Sequence, residues 1–188
     1  MANNTYSKFP ARRLAINAAM IGLYFAISML AIPIGGFKLT FEHLPVILSA
    51  VLFGPIDALI VGALGELINQ LLTYGITPTT LLWMAPAMFR GLSMGLCAIL
   101  IPKYFGREAI LSKKIPAVFI VCCVLSGLIC SLINTYTLYV DSKMYGYYSY
   151  AMVFGVFWIR LGSSAVSSVL MSMISKPIVH ALRKSKVF

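Results

Sequence analysis

The chain has 188 residues, 60% of them hydrophobic and 11% charged, with a mean hydropathy of +0.91. A soluble domain averages about 45–50% apolar and about 25% charged residues, so this excess excludes a water-soluble globular protein. The formal net charge of +10, from 15 Lys and Arg against 5 Asp and Glu, is not interleaved with aromatics as in a nucleic-acid binder.

Met1–Pro10 is polar, and no small-residue cleavage site closes a short apolar run, so the first hydrophobic segment is expected to stay in the mature protein. Segment 1 is Ala11–Pro33, entered through Arg12 and Arg13. Gly35–His43 is a loop holding Lys38, Glu42 and His43. Segments 2 and 3, Leu44–Phe53 and Ile56–Leu72, are hinged at Gly54-Pro55. A polar turn over Thr73–Thr80 leads into segment 4, Leu81–Ile101. Pro102–Lys114 is a polar loop and Ile115–Leu138 is segment 5. Tyr139–Ser149 is an aromatic, polar loop, Tyr150–Ser175 is segment 6, and Lys176–Phe188 is a basic tail.

A spanning helix needs about 20 apolar residues, which segments 1, 4, 5 and 6 supply. Segment 2 is too short and segment 3 marginal. Short, Gly/Pro-interrupted membrane segments tend to lie packed inside protein beside a site. The expected fold is an all-α integral membrane bundle of six transmembrane helices with short helices 2 and 3. It forms one membrane domain, with residues 11–175 as the bundle and the two tails cytoplasmic.

Orientation follows the Lys and Arg distribution. With both ends inside, the inner side carries Lys8, Arg12, Arg13, Lys103, Arg107, Lys113, Lys114, Lys176, Arg183, Lys184 and Lys186, against Lys38 and Lys143 outside. That bias requires an even number of crossings, and six fits the hydropathy.

Ionisable groups at membrane depth are costly and mark functional sites. Arg90 and Arg160 each lie about ten residues from the outer end of a segment, roughly 15 Å down. Two guanidiniums at one depth form a paired clamp for a carboxylate. Glu66 lies near the same level. A Glu66–Arg ion pair would neutralise one arginine, leaving the other for an anionic group on a small ligand. Asn69, Gln70 and Asn134 suit either ligand heteroatoms or interhelical hydrogen bonds. Trp83, Trp158, Phe89, Tyr136 and Tyr139 suit either ring stacking or an interfacial belt. The Lys38–His43 loop and the Tyr74–Thr79 turn are placed to close over a pocket from outside.

Asp57, just after Pro55, reads as ordinary helix-start chemistry. Ala11, Ala15 and Ala19 recur every four residues, a spacing that admits close approach of another helix, within the bundle or from a separate subunit. Cys97, Cys122, Cys123 and Cys130 fall in apolar sequence and read as small packing residues, so no metal or cofactor is expected. No phosphate-binding loop, His-Glu-x-x-His or Gly-x-Ser-x-Gly motif occurs, so an enzyme is not expected.

The run Phe41-Glu-His-Leu-Pro-Val-Ile-Leu-Ser-Ala-Val-Leu-Phe-Gly-Pro55, followed by Ile60-Val-Gly-Ala-Leu-Gly-Glu66, resembles the substrate-binding S components of energy-coupling factor (ECF) vitamin transporters. It is most similar to the group binding folate, pantothenate, pyridoxine and riboflavin. The resemblance implies a six-helix subunit in a prokaryotic cell membrane that captures a vitamin from outside with high affinity. It implies docking through Ala15 and Ala19 to a membrane scaffold with two ATPase subunits, and ATP-driven tilting that delivers the vitamin inward. A carboxylate-bearing vitamin is favoured, with pantothenate-like and folate-like ligands both open. The alternative is a small membrane scaffold or assembly protein without a ligand.

Overall fold

The computed structural model describes residues 10–30, 32–34, 37–101 and 117–184, without the side chains of 10, 32–34, 37–39 and 182–184. Among the described residues the order is α1 (Pro10–Ser28), a hairpin of β1 (Ile32–Ile34) and β2 (Phe37–Leu39), α2 (Leu44–Phe53), α3 (Pro55–Thr73), α4 (Thr80–Leu100), α5 (Ala117–Met144) and α6 (Phe157–Lys184). The two strands pair antiparallel, Ile32 opposite Leu39 and Ile34 opposite Phe37. A π-helical turn at Ala151–Gly155 precedes α6.

Gly54-Pro55 breaks the chain between α2 and α3. Gly54 has φ +99°, a left-handed conformation that favours glycine, and its N–H closes α2 onto Ala50 O. Pro55 opens α3, where a missing N–H costs nothing. Leu44 to Leu52 of α2 are all buried, so this ten-residue helix is the apolar centre of the bundle. The α3–α4 pair packs closely because the backbones nearly touch: a Cβ on Gly62 would come 2.7 Å from Ala87 O.

By length and composition, four stretches among the described residues can cross a membrane: α3, α4, α5 and Ala151–Ala181. The marginal third segment thus qualifies, whereas α1, with Arg12, Arg13 and Asn17, does not meet the same measure.

The reason lies in its two faces. Arg13, Asn17, Tyr24 and Ser28 fall within a narrow arc, and all four bond α3: Arg13 and Asn17 to Asp57, Tyr24 to Glu66, Ser28 to Asn69. Ala11, Ala15, Ala19, Gly22 and Ala26 lie on the opposite face and are exposed. Asp57 is therefore more than a helix-start acid. It pairs with Arg13 through both oxygens, and Asn17 donates to it at 2.5 Å.

Several boundaries differ from expectation: α1 ends at Ser28 and Ile32–Ile34 is a strand, where segment 1 was expected to reach Pro33. α5 runs on to Met144 through residues read as loop, and α6 runs through Lys176 and Pro177 to Lys184, where a tail was expected. The N-terminal tail and the basic Pro102–Lys114 loop lie outside the described residues.

Candidate functional site

Arg90 lies ten residues into α4, about 15 Å along its axis. It is only 3% exposed. One terminal nitrogen donates to Ser168 Oγ at 2.9 Å and lies 3.9 Å from Met171 Sδ, while Nε is buried without a partner. The guanidinium is also within reach of Cys130 on α5 and of His43 before α2. The α5–α6 crossing positions Ser168: a Cβ on Gly127 would overlap Ser168 Oγ, and Ser164 Oγ donates to Gly127 O at 2.8 Å. Glycine at that point lets α6 approach until its hydroxyl reaches Arg90.

Glu66 is also buried, but its partners are neutral. Tyr24 donates to Oε2 at 2.8 Å, Asn69 to Oε2 at 3.3 Å and Gln70 to Oε1 at 2.6 Å. The expected Glu66–Arg ion pair is not formed. The physical reason is that α1 brings a phenol to the carboxylate first, with Tyr24 seated directly on Gly65. Next to Tyr24 stands His43, its ring centroid 5.8 Å away in an edge-on contact. His43 Nε2 lies 3.5 Å from Cys130 Sγ and Nδ1 lies 3.6 Å from Glu42. Among the described residues no carboxylate lies within ion-pair distance of Arg90 or Arg160.

The two arginines share no partner. Arg160 stands three residues inside α6 and donates to Met152 O in the preceding π-helical turn at 2.9 Å, leaving its NH1 buried and unpartnered. Arg90 engages α6 at Ser168, eight residues or about 12 Å further along. The two guanidiniums therefore bond different parts of the chain, Arg160 the turn before α6 and Arg90 the middle of α6. Trp158 is 77% exposed and stacks edge-on with Phe157, away from these groups. Asn134 is half-buried, with no hydrogen bond to a described residue. The backbone of Lys38 sits in β2, and its side chain lies outside the described residues.

Trp83 belongs to a second cluster that sequence reading missed. Asp141 on α5, 7% exposed, accepts from Trp83 Nε1 at 3.3 Å and from the Tyr147 hydroxyl, and Thr79 also bonds it. This joins the α3–α4 turn, α4, α5 and the loop before α6. Burial first, and then the bond to Asp141, push the Tyr147 hydroxyl up to about 12. Beside it Lys143 lies over the Tyr148 ring, 4.4 Å from its centroid. Tyr24, Ser168, Cys130 and Asp141 carried no motif. A lone buried acid at a helix end and serines at four-residue spacing on segment 6 were the only local hints.

Buried polar side chains from several helices thus surround a cation that has no carboxylate within ion-pair distance among the described residues. Against families of known proteins, residues 12–183 match the ECF transporter substrate-specific component. The chain belongs to this family. Among solved structures it is similar to a chain described under "Structure and mechanism of the S component of a bacterial ECF transporter", at TM-score 0.57 and 18% identity, covering 92% of this chain and 94% of that one. At that identity the likeness establishes the fold. No curated protein matches the sequence. This S component is a multi-pass membrane protein and a substrate-specific transport subunit, not an enzyme. The helical bundle expected from hydropathy, with its short second helix, is the fold observed.

Proposed function

We propose that this S component binds a carboxylate-bearing, water-soluble vitamin, folate-like or pantothenate-like, at Arg90. One observation carries the reading: a 97% buried guanidinium whose neighbours are a serine, a methionine, a cysteine and a histidine, with Nε unpartnered. A cation in a low-dielectric interior is costly without a counter-charge, and a ligand carboxylate supplies one. Glu66, Asn69, Gln70, His43, Asn134, Lys38 and Trp83 are proposed to complete the binding region. Arg160 and Trp158 are assigned to the helix break and the outer surface instead. Ligand retention tests this: native mass spectrometry of the purified chain is expected to find one small acid per protein, lost in Arg90→Ala.

We further propose uptake driven by two ATPase subunits through a membrane scaffold that docks on the exposed Ala15–Ala19 face of α1. The protein would sit in a prokaryotic cell membrane with both termini cytoplasmic, as the Lys and Arg bias favours. Small residues on an exposed helix face support close packing by another helix. Replacing Ala15 and Ala19 by Trp is expected to abolish co-purification with the scaffold while ligand retention persists.

A further inference from the structure

A carboxylate offers about four acceptor positions on its two oxygens. Glu66 uses two on Oε2, for Tyr24 and Asn69, and one on Oε1, for Gln70. One position on Oε1 is left open. Glu66 is 8% exposed, so bulk water has little access to it. Arg90 is the mirror case, a buried cation with an open donor at Nε.

His43 and Cys130 stand between these groups. His43 touches the Tyr24 ring on one side and Cys130 on the other, and Cys130 lies within electrostatic reach of both Arg90 and Glu66. An anion and a cation are thus held around the same pair of side chains without being joined. Were both merely structural, direct pairing would offset the desolvation of each. Each instead keeps one hydrogen-bonding position vacant.

We infer that the ligand is bifunctional: its acidic group meets Arg90, and an N–H or O–H donor elsewhere on it meets Glu66. Glu66 is then a specificity-determining residue. This rests on Arg90 as the acid-binding group. An acid without the distal donor leaves Glu66 Oε1 unsatisfied, and a donor-bearing compound without the acid leaves Arg90 unneutralised. Sites built to hydrogen-bond a donor discriminate strongly against analogues lacking it.

Titration calorimetry on the detergent-solubilised full chain, stripped of co-purified small molecules, separates the two ends. The probes are pantothenate and folate, which carry an acid and distal donors; lipoate, which has the acid without a distal donor; and pyridoxine and riboflavin, which have donors without a carboxylate. Pantothenate or folate is expected to bind at least about tenfold tighter than the other three, as one hydrogen bond to a charged group implies. Glu66→Gln should weaken that ligand by about tenfold, and Arg90→Ala should weaken it further. Lipoate binding as tightly as the donor-bearing acids would overturn the role of Glu66 and leave Arg90 standing. Tightest binding of pyridoxine or riboflavin, unchanged in Arg90→Ala, would overturn the acid-binding reading and this inference with it. Binding of none of the five would overturn both. The wild-type comparison decides between these outcomes even if the Glu66 variant does not fold.

Discussion

The Tyr24 hydroxyl on α1 donates to Glu66 Oε2 on α3 across 2.8 Å, from a side chain with no exposed surface. A hydrogen bond to a charged group contributes about 1.5–3 kcal/mol. Tyr24→Phe keeps the ring on Gly65 and removes only that bond. It is expected to lower the unfolding free energy by about that amount, measured by denaturant unfolding in detergent.

Arg90 and Arg160 are expected to behave differently. Arg90→Ala leaves a bound carboxylate buried and unpaired, so affinity should fall by about 2–5 kcal/mol. Arg160→Ala frees the Met152 carbonyl and loosens the start of α6, with affinity expected to stay within about threefold of wild type because its bond is to the turn before α6 and not to the groups around Arg90. Calorimetry with the co-purifying acid measures both.

Gly127→Ala forces the added methyl onto Ser168 Oγ. Overpacking of this kind costs about 1–3 kcal/mol. The signature is a lower melting temperature together with weaker ligand binding, because Ser168 is pushed from Arg90. Gly22→Ala, where an added Cβ meets nothing within 4 Å, is the control and should lower neither, the melting temperature rising if it moves because Ala favours helix over Gly.

Asp57→Ala removes the carboxylate that accepts from both the half-buried Arg13 guanidinium and Asn17. Losing one partner of a buried pair costs about 3 kcal/mol at the lower end of its range, appropriate here because Arg13 retains some solvent. A double-mutant cycle with Arg13→Ala reads out the coupling of the pair.

Tyr147 should titrate late. Its hydroxyl is raised to about 12, so the neutral form that donates to Asp141 is favoured in the fold. That contribution is fully present below the ordinary tyrosine value of about 10 and is lost only as pH climbs through about 12. In Asp141→Asn the value should fall but stay above the ordinary one, because burial is the larger cause. Ultraviolet difference titration of wild type against variant follows it.

What was legible in the sequence was whatever local chemistry dictates. Gly54-Pro55 marks the α2–α3 boundary because one residue supplies positive φ and the next opens a helix without an N–H. Glu66, Gln70 and Asn69 announce themselves as a polar group in apolar sequence, and they do bond one another. What was illegible depended on distant chain. The partner of Glu66 comes from 42 residues upstream, as a phenol rather than a guanidinium. α5 extends past Leu138 because Asp141, read as a loop acid, gains Trp83 from 58 residues away. The partner of Arg160, the Met152 carbonyl, was illegible because nothing in Tyr150–Phe157 signals a π-helical turn.

The polar face of α1 also has a consequence for biogenesis. Asn17 leaves the ribosome 40 residues ahead of Asp57, whose carboxylate accepts from its side-chain amide. Until α3 follows, lipid offers that amide no such acceptor. α1 is therefore expected to linger at the translocon or the bilayer surface and to settle only once α3 has inserted. Nascent chains truncated before residue 57 should leave this helix extractable by alkali, and longer ones should not.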